Sequence, residues 1–171
     1  MPELAYLSLG SNLGNREQHL RDAIQRLQSI GTVRSVSSLY ETEPVEFTEQ
    51  PDFLNCAVAL ETSASPAQLM VQLLDIEKTL GRQRIQKKGP RTIDLDLLLF
   101  GDQVINAPEL TIPHPAMHQR RFVLVPLAEI APGARHPIFK KTIRELQGEL
   151  PASQTVRKLQ PTHGSLGFPP T

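Results

Sequence analysis

Four β-prone runs and two capped helical stretches follow one another in the order strand, helix, strand, strand, helix, strand. That order predicts an α+β fold, the ferredoxin-like βαββαβ sandwich, in which helices pack on an antiparallel sheet. Three observations carry the prediction: two-residue alternation through 52–62, cap signals ahead of both helices, and a glycine closing each of them.

Residues 4–9 form the first apolar strand, closed by Gly10-Ser11-Asn12-Leu13-Gly14-Asn15. Asn15 is placed to cap a helix, with Gln18 as the third residue of a capping box. Leu20, Ala23, Ile24, Leu27 and Ile30 then recur at helical spacing until Gly31. The 10–15 segment lacks the lysine and following Ser/Thr of a phosphate loop, so it reads as a strand-to-helix turn. Residues 32–42 alternate as one long strand with a possible bulge, and two prolines among acidic and polar groups make 43–51 a loop. In 52–62, Phe53, Asn55, Ala57 and Ala59 share one face, and Leu54, Cys56, Val58 and Leu60 the other.

Ser65-Pro66-Ala67-Gln68 opens the second helix with a serine cap, proline at the first position and glutamine at the third. Its buried stripe is Leu69, Leu73, Ile76 and Leu80, and Gly81 ends it. Residues 93–100 make the next strand, followed by a turn and added strand at 102–106 and short helical segments at 114–121 and 126–130. Thr142 and Glu145 form another capping box, opening a helix to about residue 150. These are C-terminal helical additions to a single domain, 1–150. Pro, Thr, Gly and Ser dominate 151–171, which is expected to be a loosely held tail.

A chain of 171 residues buries roughly 70% of its unfolded surface, enough for one core. With 18 basic and 18 acidic residues the net charge is zero, which argues against binding to nucleic acid or an anionic membrane by bulk electrostatics. A local cationic pocket remains allowed. Cys56 is the single cysteine, and its apolar neighbours make it a buried thiol. Apolar runs fall well short of the ~20 residues of a membrane span, and Met1-Pro2-Glu3 lacks a basic leader segment, so a cytoplasmic protein is expected.

The chemistry concentrates in Gly89-Pro90-Arg91-Thr92-Ile93-Asp94-Leu95-Asp96-Leu97-Leu98-Leu99-Phe100. Along a strand, Asp94 and Asp96 project to one side and Ile93, Leu95 and Leu97 to the other, with the aspartate α-carbons about 6.5–7 Å apart. Carboxylates so placed can converge on hard cations. An edge strand with one solvated, aggregation-resistant face is the plainer reading. Against it stand the apolar run after Asp96, which suits a covered strand, and five cations in the ten residues 82–91: Arg82, Arg84, Lys87, Lys88 and Arg91. That loop has none of the aromatics of a nucleic-acid stacking surface. Beside paired carboxylates it suits a polyphosphate held through magnesium, with arginines on the remaining charge. Asn55, inside an apolar strand, has the donors and acceptor for an amide-bearing heterocycle, and Phe53 on the same face could stack on that ring; an ordinary backbone-satisfied asparagine is the alternative. His114 and His118 are four apart, but no third soft ligand for zinc lies nearby in sequence.

Taken together, Gly10-Ser11-Asn12-Leu13-Gly14, Gln50-Pro51-Asp52-Phe53-Leu54-Asn55, Gly89-Pro90-Arg91-Thr92-Ile93-Asp94-Leu95-Asp96 and Ile112-Pro113-His114-Pro115 with Arg120 and Phe122 resemble the 6-hydroxymethyl-7,8-dihydropterin pyrophosphokinase family, over about residues 4–132. The resemblance implies pyrophosphoryl transfer from ATP to the pterin hydroxymethyl oxygen, with release of AMP, in folate biosynthesis. It implies two Mg2+ ions on Asp94 and Asp96, Arg82 and Arg91 on the transferring phosphates, and Glu77, Arg84, His114 and Arg120 around ATP. It places Thr42, Val45, Phe53, Asn55 and Phe122 at the pterin, the two phenylalanines sandwiching the ring. A monomer acting on these two small molecules, without nucleic acid or membrane, is expected.

The chain departs from the family pattern at Lys88, where well-known members have tryptophan, and at Leu74, Glu109 and Glu46, where some carry glutamine, arginine and glycine. The loops 43–50 and 82–91 have few apolar anchors, so they are expected to order on ligand binding, with Lys88 closing less firmly than an indole. The competing readings are another two-metal nucleotidyl transferase and a ligand- or RNA-binding module of the same fold. The second would need surface aromatics on the central strands, and this chain has too few in those places.

Overall fold

The computed structural model describes residues 2–43, 51–81, 92–151 and 155–159. In chain order these form β1 (Glu3–Ser11), α1 (Arg16–Leu27), β2 (Thr32–Val36), β3 (Tyr40–Thr42), β4 (Phe53–Thr62), α2 (Pro66–Gly81) and β5 (Asp94–Phe100). A hairpin of β6 (Ile105–Ala107) and β7 (Leu110–Ile112) follows, then a 3-10 turn at Met117–Gln119, α3 (Arg121–Ile130), α4 (Ile143–Gly148) and β8 (Val156–Lys158). The main sheet runs β5-β1-β4-β3-β8, with β2 also paired to β4. All its pairings are antiparallel. This is the expected ferredoxin-like sandwich, extended by one edge strand.

The alternation of β4 divides the interior as its sequence requires. Leu54, Cys56, Val58 and Leu60 join Leu7, Leu9, Leu95 and Leu97 in a core closed by Leu20, Ile24 and Leu27 of α1 and Leu69, Leu73 and Ile76 of α2. On the other face, Ala57 packs with Leu98, Leu99, Met117, Val123, Leu124, Leu127, Ile143 and Leu146, so α3 and α4 form a third layer. Burial pushes the Cys56 thiol up to about 12, as suits an inert core group.

The long strand expected over 32–42 is instead two strands. Ser37 Oγ accepts the Ala57 amide at 2.8 Å and donates to the Ser38 carbonyl, while the Ser38 amide donates to Glu129 of α3. The Ser37 amide still donates to the Ala57 carbonyl at 2.9 Å, but side-chain bonds otherwise take the place of the ladder to β4 between β2 and β3. The serine cap of α2 is reciprocal: the Ser65 amide donates to Gln68 Oε1, and the Gln68 amide to Ser65 Oγ. Asn15 caps α1 through the Gln18 amide, but the Gln18 side chain turns to Asp22, so the box is half formed. Residues 121–130 form one helix rather than a segment starting at 126; burial of Val123, Leu124, Pro126 and Leu127 offsets the amide that Pro126 lacks.

Two expectations change. Residues 156–158, within the stretch read as a loose tail, pair as β8 with Tyr40–Thr42 of β3. And β5, read as too apolar for the periphery, does lie at the end of the sheet order. Its apolar character comes from cover: the Glu77 carboxylate of α2 takes the Leu95 amide at 2.6 Å, and the His114 amide donates to the Leu98 carbonyl at 3.0 Å. A register shift opposite Tyr6 and Leu7 also turns both Leu98 and Leu99 into the α3 layer.

Candidate active site

Asp94 and Asp96 stand half-buried on one face of β5, alternating with buried Ile93, Leu95 and Leu97. The sheet register extends that face into a polar row. Asp94 lies opposite Gly10 of β1, Gly10 opposite Asn55 of β4, and Asn55 opposite Tyr40 of β3. Directly opposed residues share a face, so the Asp94 and Asn55 α-carbons are two strand spacings apart, about 9.5 Å. Thr42 and Phe53, also opposed, lie on the same face.

Asn55 is only 3% exposed, and its Nδ2 donates to Thr42 Oγ1 at 2.7 Å. A Cβ on Gly10 would lie 2.8 Å from Asn55 Oδ1 and 3.6 Å from the Phe53 ring. Gly10 therefore leaves the space that the Asn55 amide occupies. Its signal in the sequence is a glycine adjoining an apolar strand, which reads equally as part of the strand-to-helix turn. Phe122, at the start of α3, packs at the edge of the α3 layer, with the Arg120 guanidinium 5.5 Å from its ring centroid.

Along the outer edge of β5, α2 and the β6–β7 hairpin enclose an open groove of about 280 Å³, lined among others by Met70, Leu74, Glu77, Asp96, Glu109, Thr111 and His114. Thr111 had no marker in the sequence; the hairpin alone brings it there. Asp96 lines the groove and shares the face of the polar row, two residues along from Asp94 and opposite Ser8. His114 Nδ1 accepts the Ala116 amide at 3.1 Å, and burial, reinforced by the Arg120 charge, lowers its pKa to about 4. The imidazole is thus neutral at pH 7, and the bond at Nδ1 puts its proton on Nε2 as a donor. His118 is directed elsewhere, its ring edge-on to Phe139 at 4.8 Å.

Of the residues singled out from sequence, Asp94, Asp96, Glu77, His114, Arg120, Thr42, Phe53, Asn55 and Phe122 are described, while Arg82, Arg84, Arg91, Val45, Glu46 and Lys88 lie outside the described residues. The two loops expected to order on binding fall largely there as well. Among the described residues no three His, Cys, Asp or Glu side chains cluster as a metal cage. Two hard carboxylates with room beside them fit magnesium, which takes one or two protein carboxylates and completes its shell with water and phosphate oxygens.

The ferredoxin-like sheet thus carries paired carboxylates beside a groove and, on the same face, a buried and oriented amide. The family model described as 7,8-dihydro-6-hydroxymethylpterin-pyrophosphokinase (HPPK) matches residues 6–132. The chain belongs to this family. It is 49% identical over 132 residues to the 2-amino-4-hydroxy-6-hydroxymethyldihydropteridine pyrophosphokinase of Bacillus subtilis strain 168, covering 76% of this chain and 79% of that protein. It is 46% identical over 137 residues to the folic acid synthesis protein fol1 of Pneumocystis carinii, covering 80% of this chain but 18% of that longer protein. The crystal structure of wild-type Plasmodium falciparum HPPK-DHPS with pterin and p-hydroxybenzoate superposes with a TM-score of 0.68 at 19% identity, over 87% of this chain and 43% of that one; at that identity it speaks for the fold.

Proposed function

We infer that this chain transfers the pyrophosphoryl group of ATP to the hydroxymethyl oxygen of 6-hydroxymethyl-7,8-dihydropterin, giving AMP and the pterin diphosphate for folate synthesis. The observation that supports this reading is the shared face of Asp94, Gly10 and Asn55, on which the carboxylates would serve the phosphates and the amide the heterocycle.

The pterin edge would pair with the Asn55 amide, whose Nδ2 is already oriented by Thr42, and its ring would stack between Phe53 and Phe122. ATP would lie along the groove, held by Glu77, Arg120 and the Nε2–H of neutral His114. Arg84 would join them, and Arg82 and Arg91 would neutralise the moving phosphates. Asp94 and Asp96 would hold two magnesium ions, which supply positive charge beside the phosphate oxygens and the attacking hydroxyl. In the transfer, the hydroxymethyl oxygen bonds to the β-phosphorus, the bond from that phosphorus to the α–β bridging oxygen breaks, AMP departs with the electron pair, and the hydroxyl proton is lost to solvent. Val45 completes the pterin side in this reading, and the chain acts as a monomer in the cytoplasm.

The deciding experiment is product identity with ATP, magnesium and reduced hydroxymethylpterin. AMP in step with pterin diphosphate is the expected result. ADP in its place, or ATP left intact, overturns the reading.

A further inference from the structure

On the face of the sheet opposite the pterin-side row lies a four-residue ionic cluster that the reaction itself does not require. Glu41 of β3 is held from two sides: Arg16, the first residue of α1, donates to its Oε2 at 2.8 Å, and Arg157 of β8 donates to its Oε1 at 2.5 Å. Both arginines also reach the start of β4. Arg16 donates to the Asp52 carbonyl at 3.0 Å, and Arg157 lies 3.7 Å from the Asp52 carboxylate. Asn12 adds a neutral anchor, its Nδ2 donating to the Pro51 carbonyl at 3.0 Å.

The position of this cluster gives it a consequence. Glu41 immediately precedes Thr42, and Asp52 immediately precedes Phe53; Thr42 and Phe53 oppose each other on the other face. Fixing Glu41 and Asp52 from behind therefore fixes the separation of two side chains assigned to the pterin. Arg157 is also the residue directly opposite Glu41 in the β3–β8 pairing, so its reach depends on β8 being docked. β8 lies outside the 6–132 stretch that the family model matches.

We propose that β8, through Arg157, positions the pterin-binding face, the Arg157 bridge between Glu41 and Asp52 holding the ends of β3 and β4 at the spacing that Thr42, Asn55 and Phe53 need. The inference rests on the pterin reading above. Arg157 is a positioning residue; it lies behind the sheet and acts through its neighbours.

The test is pterin binding measured by calorimetry in the presence of an unreactive ATP analogue, together with steady-state kinetics, on the full chain. Arg157→Ala should raise the pterin Kd and KM about three- to fivefold, the range of an exposed ion-pair network, with kcat and the ATP KM within twofold. Arg157→Lys, which keeps the charge, should recover part of the loss, and Glu41→Gln should reproduce it. Because Arg157 is exposed, raising salt should weaken pterin binding more in the unaltered chain than in Arg157→Ala. Pterin binding by the unaltered chain with no change in Arg157→Ala overturns this proposal alone, as does an equal loss for both ligands. Failure of the unaltered chain to bind pterin overturns the function reading and the proposal with it.

Discussion

Asn55 Nδ2 donates to Thr42 Oγ1 across the β3–β4 pairing at 2.7 Å, and the bond fixes which end of the amide faces Gly10. A buried amide with a set orientation presents one pattern of donor and acceptor, which is what the proposed pterin contact needs. Asn55→Leu removes its bond to Thr42 and, in the proposed reading, its contact with the pterin, at about 1–3 kcal/mol per lost partner. Pterin affinity should fall about five- to hundredfold with ATP affinity little changed. Calorimetry with an unreactive ATP analogue measures both; equal losses would make Asn55 a structural residue only.

Gly10→Ala should act on the same amide from the neighbouring strand. The added methyl would sit 2.8 Å from Asn55 Oδ1, closer than carbon and oxygen pack, so the amide must turn or β1 must move. Overpacking of this kind costs about 1–3 kcal/mol. Expected are a lower thermal midpoint and a raised pterin KM, and the double variant with Asn55→Ala should recover the stability. An unchanged pterin KM in Gly10→Ala would remove Gly10 from the site.

Much of this was legible beforehand, for identifiable physical reasons. The faces of β4 followed from strict alternation, and the starts of α2 and α4 from local side-chain-to-amide chemistry that needs no tertiary context. Asp94 and Asp96 stood out because aspartate opposes strand propensity and two at i, i+2 share a face. Less legible were features set by partners distant in sequence. The break between β2 and β3 depends on Glu129, 91 residues from Ser38. The edge position of β5 was hidden because Glu77 and His114 satisfy its outer groups and let it be apolar. β8 was hidden by its composition; three residues with one half-buried valine carry little pattern of their own.

Removal of either carboxylate should separate chemistry from folding. Asp94→Ala and Asp96→Ala should each reduce kcat by about a thousandfold or more, in line with the several kcal/mol a Lewis-acid site supplies. Both side chains are only half-buried, so the thermal midpoint should stay within about 4 °C. Turnover assays at several magnesium concentrations and a melting curve suffice. Full activity of either variant at ordinary magnesium would sink the two-ion assignment.

The last prediction concerns His114, whose pKa of about 4 in the fold lies below the ~6.5 of an unperturbed histidine. Burial is the main cause, with the Arg120 charge adding to it. Between pH 4 and 6.5 the unfolded chain therefore binds more protons at this residue than the folded one, and stability from His114 rises with pH through that window. It is fully present above pH 6.5 and is lost as pH falls toward 4. His136, also lowered by burial, works in the same direction, so the unaltered chain alone cannot isolate the effect. His114→Asn can, because a side-chain oxygen near the Nδ1 position keeps an acceptor for the Ala116 amide without a titrating group. Urea unfolding at pH 7 and pH 5 should show a smaller pH-dependent loss in His114→Asn than in the unaltered chain, and the His114 ring protons should titrate with a midpoint near 4 by NMR. A midpoint near ~6.5 would mean that the ring is solvated and charged at mildly acidic pH, and that burial does not hold it neutral there.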